Sequence, residues 1–433
     1  MMRGRCLAVP LAILLVGCSS DSGPLGRQGR IDRSFNAPAG YVLHYGAPGE
    51  QARGVETAIQ PDGRIVVLGY RYNGRNNDIL LLRYRPDGSP DASFGSAGTA
   101  VFDVPGSEDE KGLGLSLQAD GKILVAGYVR LAGKRDVLVA RFTADGALDR
   151  SFGAGGYVTY AGAGDGTDIG FGVAVQGDGK IVVVGEALHQ GSQDALLIRY
   201  HKDGSLDSSF GTGGMFAYNG GAGKADKGFA AAIAQDGGIV LTGSSVSAAK
   251  EDVLVLKVTS DGKLDPSFGI GGVVTYSGPG DESDYGNAVA MQPDGRIAIV
   301  GAISRGGQFD ILTLRYNPDG TLDRSFAGTG ATTFGRPGDL YDYAWGIAIQ
   351  PDGKLILAGA TANGTDNDGL ILRYLPDGTL DEDFASSGVF TFVISGAAEE
   401  SLAALALQED GRIVAAGYAN DGTRDGVLVI RVE

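Results

Sequence analysis

Residues 170–219 read GFGVAVQGDGKIVVVGEALHQGSQDALLIRYHKDGSLDSSFGTGGMFAYN, and this one stretch carries the fold. It holds four short runs rich in β-branched and aromatic residues, separated by polar, glycine-rich segments. The Asp178-Gly179 pair between the first two runs is a hairpin signal, and a two-residue type I′ turn is the expected geometry. The same marker, Gln-x-Asp-Gly-Lys/Arg, returns with Asp62, Asp120, Asp178, Asp236, Asp294, Asp352 and Asp410, and the step is always 58 residues. The fourth copy departs, reading AQDGG. A second marker, the basic residue closing the third run, keeps that step at Arg83, Arg141, Arg199, Lys257, Arg315, Arg373 and Arg431. Seven units of four strands read as the blades of an all-β, seven-bladed propeller. Hairpins of this size exclude the shorter rungs of a parallel β-helix.

The first run of each unit alternates large and small residues. At successive positions it shows Gly54, Gly112, Gly170, Gly228 and Gly286, then mostly apolar residues (Val55, Leu113, Phe171, Phe229 and Trp345), then small ones (Gly114, Gly172, Ala230, Ala288 and Gly346). A strand nearest a crowded axis needs that pattern. One glycine per unit in the second run, from Gly69 to Gly417, fits the same crowding. The last unit stops at Glu433 after its third run, whereas residues 31–45 supply an unused strand at the other end of the chain. An N-terminal strand is therefore expected to complete the seventh blade and remove an open sheet edge.

The units resemble the delta-60 repeat family, through Leu264-Asp265-Pro266-Ser267-Phe268-Gly269, QPDGRIAIVG and DILTLRYNPDG, over nearly all of residues 31–433. The resemblance implies a propeller on bacterial exported proteins and brings no catalytic residues with it. Ala327 and Ala385 replace the motif glycine and Asp383 its serine, so those connections are expected to bend differently.

The N-terminus has its own signature. Arg3 and Arg5 precede an apolar run from Leu7 to Val16, too short for a permanent membrane helix, and then Leu15-Val16-Gly17-Cys18. This resembles a bacterial lipoprotein signal, implying residues 1–17 as signal peptide, acylation of Cys18 and, because Ser19 and not Asp follows, the outer membrane of a Gram-negative bacterium. Residues 18–30 read as a flexible tether and 31–433 as the propeller. Both cysteines, Cys6 and Cys18, lie outside the propeller, so it folds without disulfides. The formal charge of −16 becomes −18 once Arg3 and Arg5 are removed, which argues against nucleic acid as a partner. A monomer is expected.

Comparison of the units with one another separates scaffold from variation. The aspartates Asp32, Asp91, Asp149, Asp207, Asp265, Asp323 and Asp381 recur in every unit, and a turn-capping or arginine-pairing role accounts for them. Loops at the opposite, top face differ, with Arg71 and Arg75, Arg130, Lys134 and Arg135, and the aromatic group Tyr341, Tyr343 and Trp345. Arg71, Arg75, Arg130, Tyr341 and Tyr343 are the candidates for contact with a protein or glycan partner. Glu110, Asp168, Asp226, Asp284, Asp342 and Glu400 share one position at the fourth-to-first connection, with Ala52 breaking the series. Such carboxylates are candidates for Ca²⁺, with Asp165, Asp281 and Asp339 as further contributors, although the preferred reading is that each caps backbone N–H groups in its own turn. The histidines His44, His189 and His201 have no metal-ligand spacing, and no nucleophile elbow or phosphate loop occurs. The chain thus reads as a non-catalytic binding or scaffold propeller. The alternative is a calcium-assisted carbohydrate-active or lactone-cleaving enzyme.

The lipobox reading is tested by Cys18→Ser, which is expected to move the protein from the membrane fraction to the soluble fraction and to abolish acyl labelling. Unchanged membrane fractionation, with no label on the wild type, overturns it.

Overall fold

The computed structural model describes residues 29–433 other than 163–165, 190, 222, 223, 248, 249, 280, 281, 337, 339 and 340. Cys18, Asp165, Asp281 and Asp339 lie outside the described residues. Among the described residues there are 28 strands and no helix, and the strands form seven antiparallel four-stranded sheets. Blade one is Gln51–Ile59, Ile65–Tyr72, Asn77–Tyr84 and Thr99–Phe102, hydrogen-bonded in that order. Blades two to six repeat it. First strands of successive blades touch, and that of blade one touches that of blade seven, so the ring closes with first strands innermost. The propeller read from the 58-residue period is the fold observed.

Closure uses the N-terminal strand, as expected. Tyr41–His44 pairs antiparallel with Asp425–Val432, Tyr41 opposite Ile430. Residues ahead of that strand also bond to the end of the chain. Gly29 donates its N–H to the carbonyl of Glu433, and Glu433 donates to that of Arg30.

The Asp-Gly hairpins differ from expectation. Gly63 N–H bonds the Gln60 carbonyl at 2.8 Å, Gln60 N–H bonds that of Arg64 at 2.8 Å, and only Gly63 of the turn has positive φ, at 79°. This is a three-residue loop, a type I turn followed by a left-handed glycine. Type I′ needs positive φ at both central residues, and Asp62, like its counterpart in every other unit, does not adopt it. The connections at Ala327 and Ala385 also differ from expectation, because they do not bend differently. Their φ values of 50° and 47° match the 51° of Gly95 and Gly269, and Ala327 N–H still reaches the Asp377 carbonyl at 2.6 Å. The surrounding blade imposes the bend and alanine bears the strain.

Blade joins blade through one repeated assembly. The guanidinium of Arg141 holds Asp149 at 2.8 Å, lies 4.6 Å over the Phe152 ring and donates to the Lys202 carbonyl in the next blade. Arg83, Arg199 and Arg315 do the same toward Ala144, Ser260 and Pro376. The seventh copy crosses the chain ends, where Arg431 binds Asp32 at 2.7 Å, covers Phe35 and donates to Pro86. Each aspartate also accepts from the backbone of the serine two residues on, and at Asp383 that N–H remains without the hydroxyl. The recurrent aspartates therefore both cap and pair. The phenylalanines beneath are fully buried.

These contacts govern acid stability. Burial alone would raise the Asp91 and Asp149 carboxyls, but hydrogen bonds from Ser93 and Ser151 and the charges of Arg83 and Arg141 hold both down at about 2. At Asp265 the Ser267 hydrogen bond acts most strongly and the value is again about 2. A depressed carboxyl contributes stability above its unfolded value, near 4, that is lost as pH falls through about 2. The melting temperature is expected to rise as pH falls from above 7 toward about 5, where the raised Glu110 and Glu400 take up protons, and to fall steeply below about 4. Asp149→Asn should cost on the order of 3 kcal/mol at pH 7, because it strands the buried guanidinium, and should make the acid limb shallower. An unaltered acid limb in that variant contradicts the assignment.

A candidate binding site at the axial mouth

The second-strand glycines set the geometry of the mouth. A Cβ on Gly127 would lie 1.8 Å from the Lys111 carbonyl, and one on Gly301 1.7 Å from that of Tyr285. Only glycine allows the first strand to approach so closely, and directly after this contact every first strand carries a bulge, as between Gly112 and Gly114. The bulge re-aims the side chains on either side of it. Its extra residues include Phe171 and Phe229, whose rings meet edge-on at 5.9 Å in an apolar cluster with Leu113 packed against it.

Above the bulge, the position opening toward the axis holds Arg53, Lys111, Ile169, Lys227, Tyr285, Tyr343 and Ser401. All but Ile169 and Ser401 are partly exposed. In blades seven, one and two this position is cationic or neighbours tyrosine. Arg53 lies 3.9 Å over the Tyr418 ring, Lys111 lies 3.8 Å over Tyr70, and Arg135 lies 4.5 Å over Tyr128. Desolvated cation–π contacts are worth up to about 2 kcal/mol each. Tyr128 and Tyr418 donate their hydroxyls to Asp109 at 2.9 Å and Glu399 at 2.7 Å, which fixes both rings.

Blades five and six present an aromatic arc instead. Tyr341 and Tyr343 are parallel within 6° at 6.0 Å, and Tyr343 and Trp345 within 16° at 5.5 Å. Phe309 packs beside Tyr341 and Tyr343, and Tyr285 extends the group into blade five. Tyr341 is 40% exposed, and Trp345 is partly exposed although its repeat position is apolar in most other units. Burial raises the Tyr343 hydroxyl to about 12, so it stays neutral and able to donate.

The six shared carboxylates lie one residue before the mouth position, and strand alternation turns them the other way. Glu110, Asp168, Asp226, Asp284, Asp342 and Glu400 are all buried, and they sit in or next to the first strand and do not line the opening. Each accepts the N–H of the residue six before it, from Val104 on Glu110 to Ile394 on Glu400. They thus brace the connection that delivers the chain to the axis. Burial pushes Glu110 and Glu400 up to about 7, with Asp103 and Asp78 adding to the first and Asp368 to the second. Third-strand aspartates face these carboxylates across the blade junction, and burial together with Asp168 raises Asp136. Asp78, Asp103 and Glu110 bring one oxygen each within 4.8 Å of one another, the one such trio among the described residues. Asp78 is engaged by Arg71 at 3.1 Å and by Asn73.

Among the loop arginines, Arg71 is thus largely committed to Asp78, and Arg130 pairs with Glu108 at 3.3 Å on the surface. Arg75 stands exposed at a loop tip away from the aromatic arc. The structure brings Tyr341 and Tyr343 together and leaves Arg71, Arg75 and Arg130 outside their arc. The cation–tyrosine arc escaped a reading focused on loops, although comparing Arg53 and Lys111, or Tyr70, Tyr128 and Tyr418, with their counterparts at 58-residue steps exposes it. A separate groove lies at the rim, lined by Gly29, Arg30, Phe334, Arg336 and Phe390.

Six segments, residues 60–94, 118–152, 176–210, 234–268, 292–326 and 350–384, match a family model described as Domain of unknown function (DUF5122) beta-propeller. No curated protein matches the chain. Similar solved structures include a polysaccharide lyase, Uly1, at 9% identity and TM-score 0.48, over 88% of this chain and 90% of that one. Another is Sqt1 of Chaetomium thermophilum, at 13% identity and TM-score 0.45, over 89% and 96%. A third is Drosophila Plexin A in complex with Semaphorin 1b, at 10% identity and TM-score 0.45, over 94% and 88%.

Proposed function

We propose that this chain, which belongs to a repeat β-propeller family, is a non-catalytic binding module of the cell envelope that takes a protein or glycan partner at the axial mouth of its top face. The finer reading is a delta-60 repeat lipoprotein, held by an acylated Cys18 at the outer membrane of a Gram-negative bacterium and acting as a monomer. The observation that carries the binding role is the aromatic arc. Tyr341, Tyr343 and Trp345 are stacked and partly open on a strand whose remaining positions follow the common scaffold. Rings held rigid by their neighbours lose little entropy on binding and present flat faces and hydroxyls together.

The test uses the purified chain, immobilised and exposed to solubilised envelope glycans and proteins. Tyr341→Ala with Tyr343→Ala is expected to retain at least tenfold less of the partner than wild type, with an unchanged melt, since two rings at about 1 kcal/mol each exceed a tenfold effect. Equal retention by both proteins counts against the mouth as the site.

A second reading, the calcium-assisted carbohydrate or lactone enzyme, is favoured by the convergence of Asp78, Asp103 and Glu110. Oxygen ligands from three carboxylates suit Ca²⁺ better than Mg²⁺, which sheds water reluctantly. Under this reading calcium raises the melting temperature more than magnesium does, by mass action, and Asp78→Asn with Glu110→Gln removes the difference. Equal, small shifts by both ions leave the enzyme reading without its cofactor.

A further inference from the structure

The mouth position is occupied by three cations, two tyrosines, one isoleucine and one serine, and by no acid, on a chain of net charge −16. Two of those cations are matched. Arg53 holds Asp425 at 2.6 Å, and Lys227 holds Glu251 at 3.2 Å. Lys111 is different. Among the described residues its ammonium has no carboxylate within 4 Å and no hydrogen-bond acceptor, and its one close neighbour of note is the Tyr70 face. The nearest acid, Asp109, is already engaged by the backbone and side-chain amides of Asn77 and by the Tyr128 hydroxyl. Arg135, over the Tyr128 ring, likewise has no acidic partner among the described residues. Burial pushes the Lys111 ammonium down, and the charges of Arg135 and Arg53 add to this against the pull of Asp109. A half-buried cation beside two others, with no counter-ion, is an arrangement that an incoming anion relieves.

We infer that Lys111 and Arg135 receive the carboxylate of an acidic saccharide whose sugar rings stack on the aromatic arc, which deepens the binding-module reading and rests on it. The tyrosine faces contact both cations without neutralising them. Tyr285 and Tyr343 share the ring position of Lys111, so stacking surface and charge open on the same mouth. The one aliphatic residue of that ring, Ile169, is buried, so the ring itself offers no pocket for the aliphatic side chains of a peptide. Elsewhere the acidic surface repels a polyanion, which confines the contact to this arc.

Calorimetry on the full chain tests the inference with tri-galacturonate, its fully methyl-esterified form and hexaglutamate as probes. Tri-galacturonate is expected to bind at least tenfold more tightly than the ester. Lys111→Met should remove that preference, Lys111→Arg should keep it, and Tyr343→Ala should weaken acid and ester alike. Equal affinity for acid and ester, unmoved by Lys111→Met but reduced by Tyr343→Ala, overturns the anion site and leaves the aromatic site standing. Indifference of all saccharide binding to Tyr343→Ala counts against the aromatic site itself. No binding of tri-galacturonate, or preferential capture of hexaglutamate, overturns the saccharide assignment. A matching melt for each variant shows that folding is not the cause.

Discussion

The guanidinium at the end of the third strand, present in six of the seven blades, holds this ring together. It satisfies an aspartate in its own blade, covers a buried phenylalanine and reaches a backbone carbonyl in the next, as Arg141 does with Asp149, Phe152 and Lys202. Arginine suits the task because its planar fork serves several acceptors while its face lies on a ring. The fourth unit has Lys257, which keeps the ion pair with Asp265 at 2.9 Å. A buried ion pair adds little against an apolar alternative, but its geometry is exacting. Repetition of that geometry fixes the angle from blade to blade, and the angle fixes how many blades close the circle.

With the join confined to the bottom of the blades, the opposite end of each first strand is free to differ. The second-strand glycines impose the same backbone path in every unit, so a common frame carries dissimilar side chains. Two adjacent junctions and the strands of blade two stack cations on tyrosines, while blades five and six stack aromatic rings on one another. A propeller with sevenfold backbone symmetry thus presents a polar asymmetry at its mouth.

The period, the blade count, the clasp and the pairing of the recurrent aspartates were legible because each is a local pattern repeated at a constant step. The type of the Asp-Gly turn is not legible from the pair alone, because the aspartate keeps a negative φ and only the glycine takes the left-handed conformation, which lengthens the loop by one residue in every copy, with or without a preceding proline. The carboxylate series was found but its direction was not. Adjacent residues of a strand face opposite ways, and a bulge two or three residues on obscures which of them meets the axis. The cation–tyrosine arc joins residues from separate units and separate strands, such as Arg53 with Tyr418, so no single stretch displays it.

The clasp also has a kinetic side. Arg431 and Asp32 are 399 residues apart, and the core between blades seven and one combines Val42, Ile65 and Val67 with Val414, Val427 and Val429. A nascent chain emerging from its N-terminus can form hairpins and stack blades one to six, yet the apolar face of blade one and the strand at Tyr41–His44 have no partner until the last residues arrive. The ring is therefore assembled in sequence but secured all at once. The interval before that moment is when its β-edges are exposed to other chains, and its length is set by the time needed to deliver the final strand.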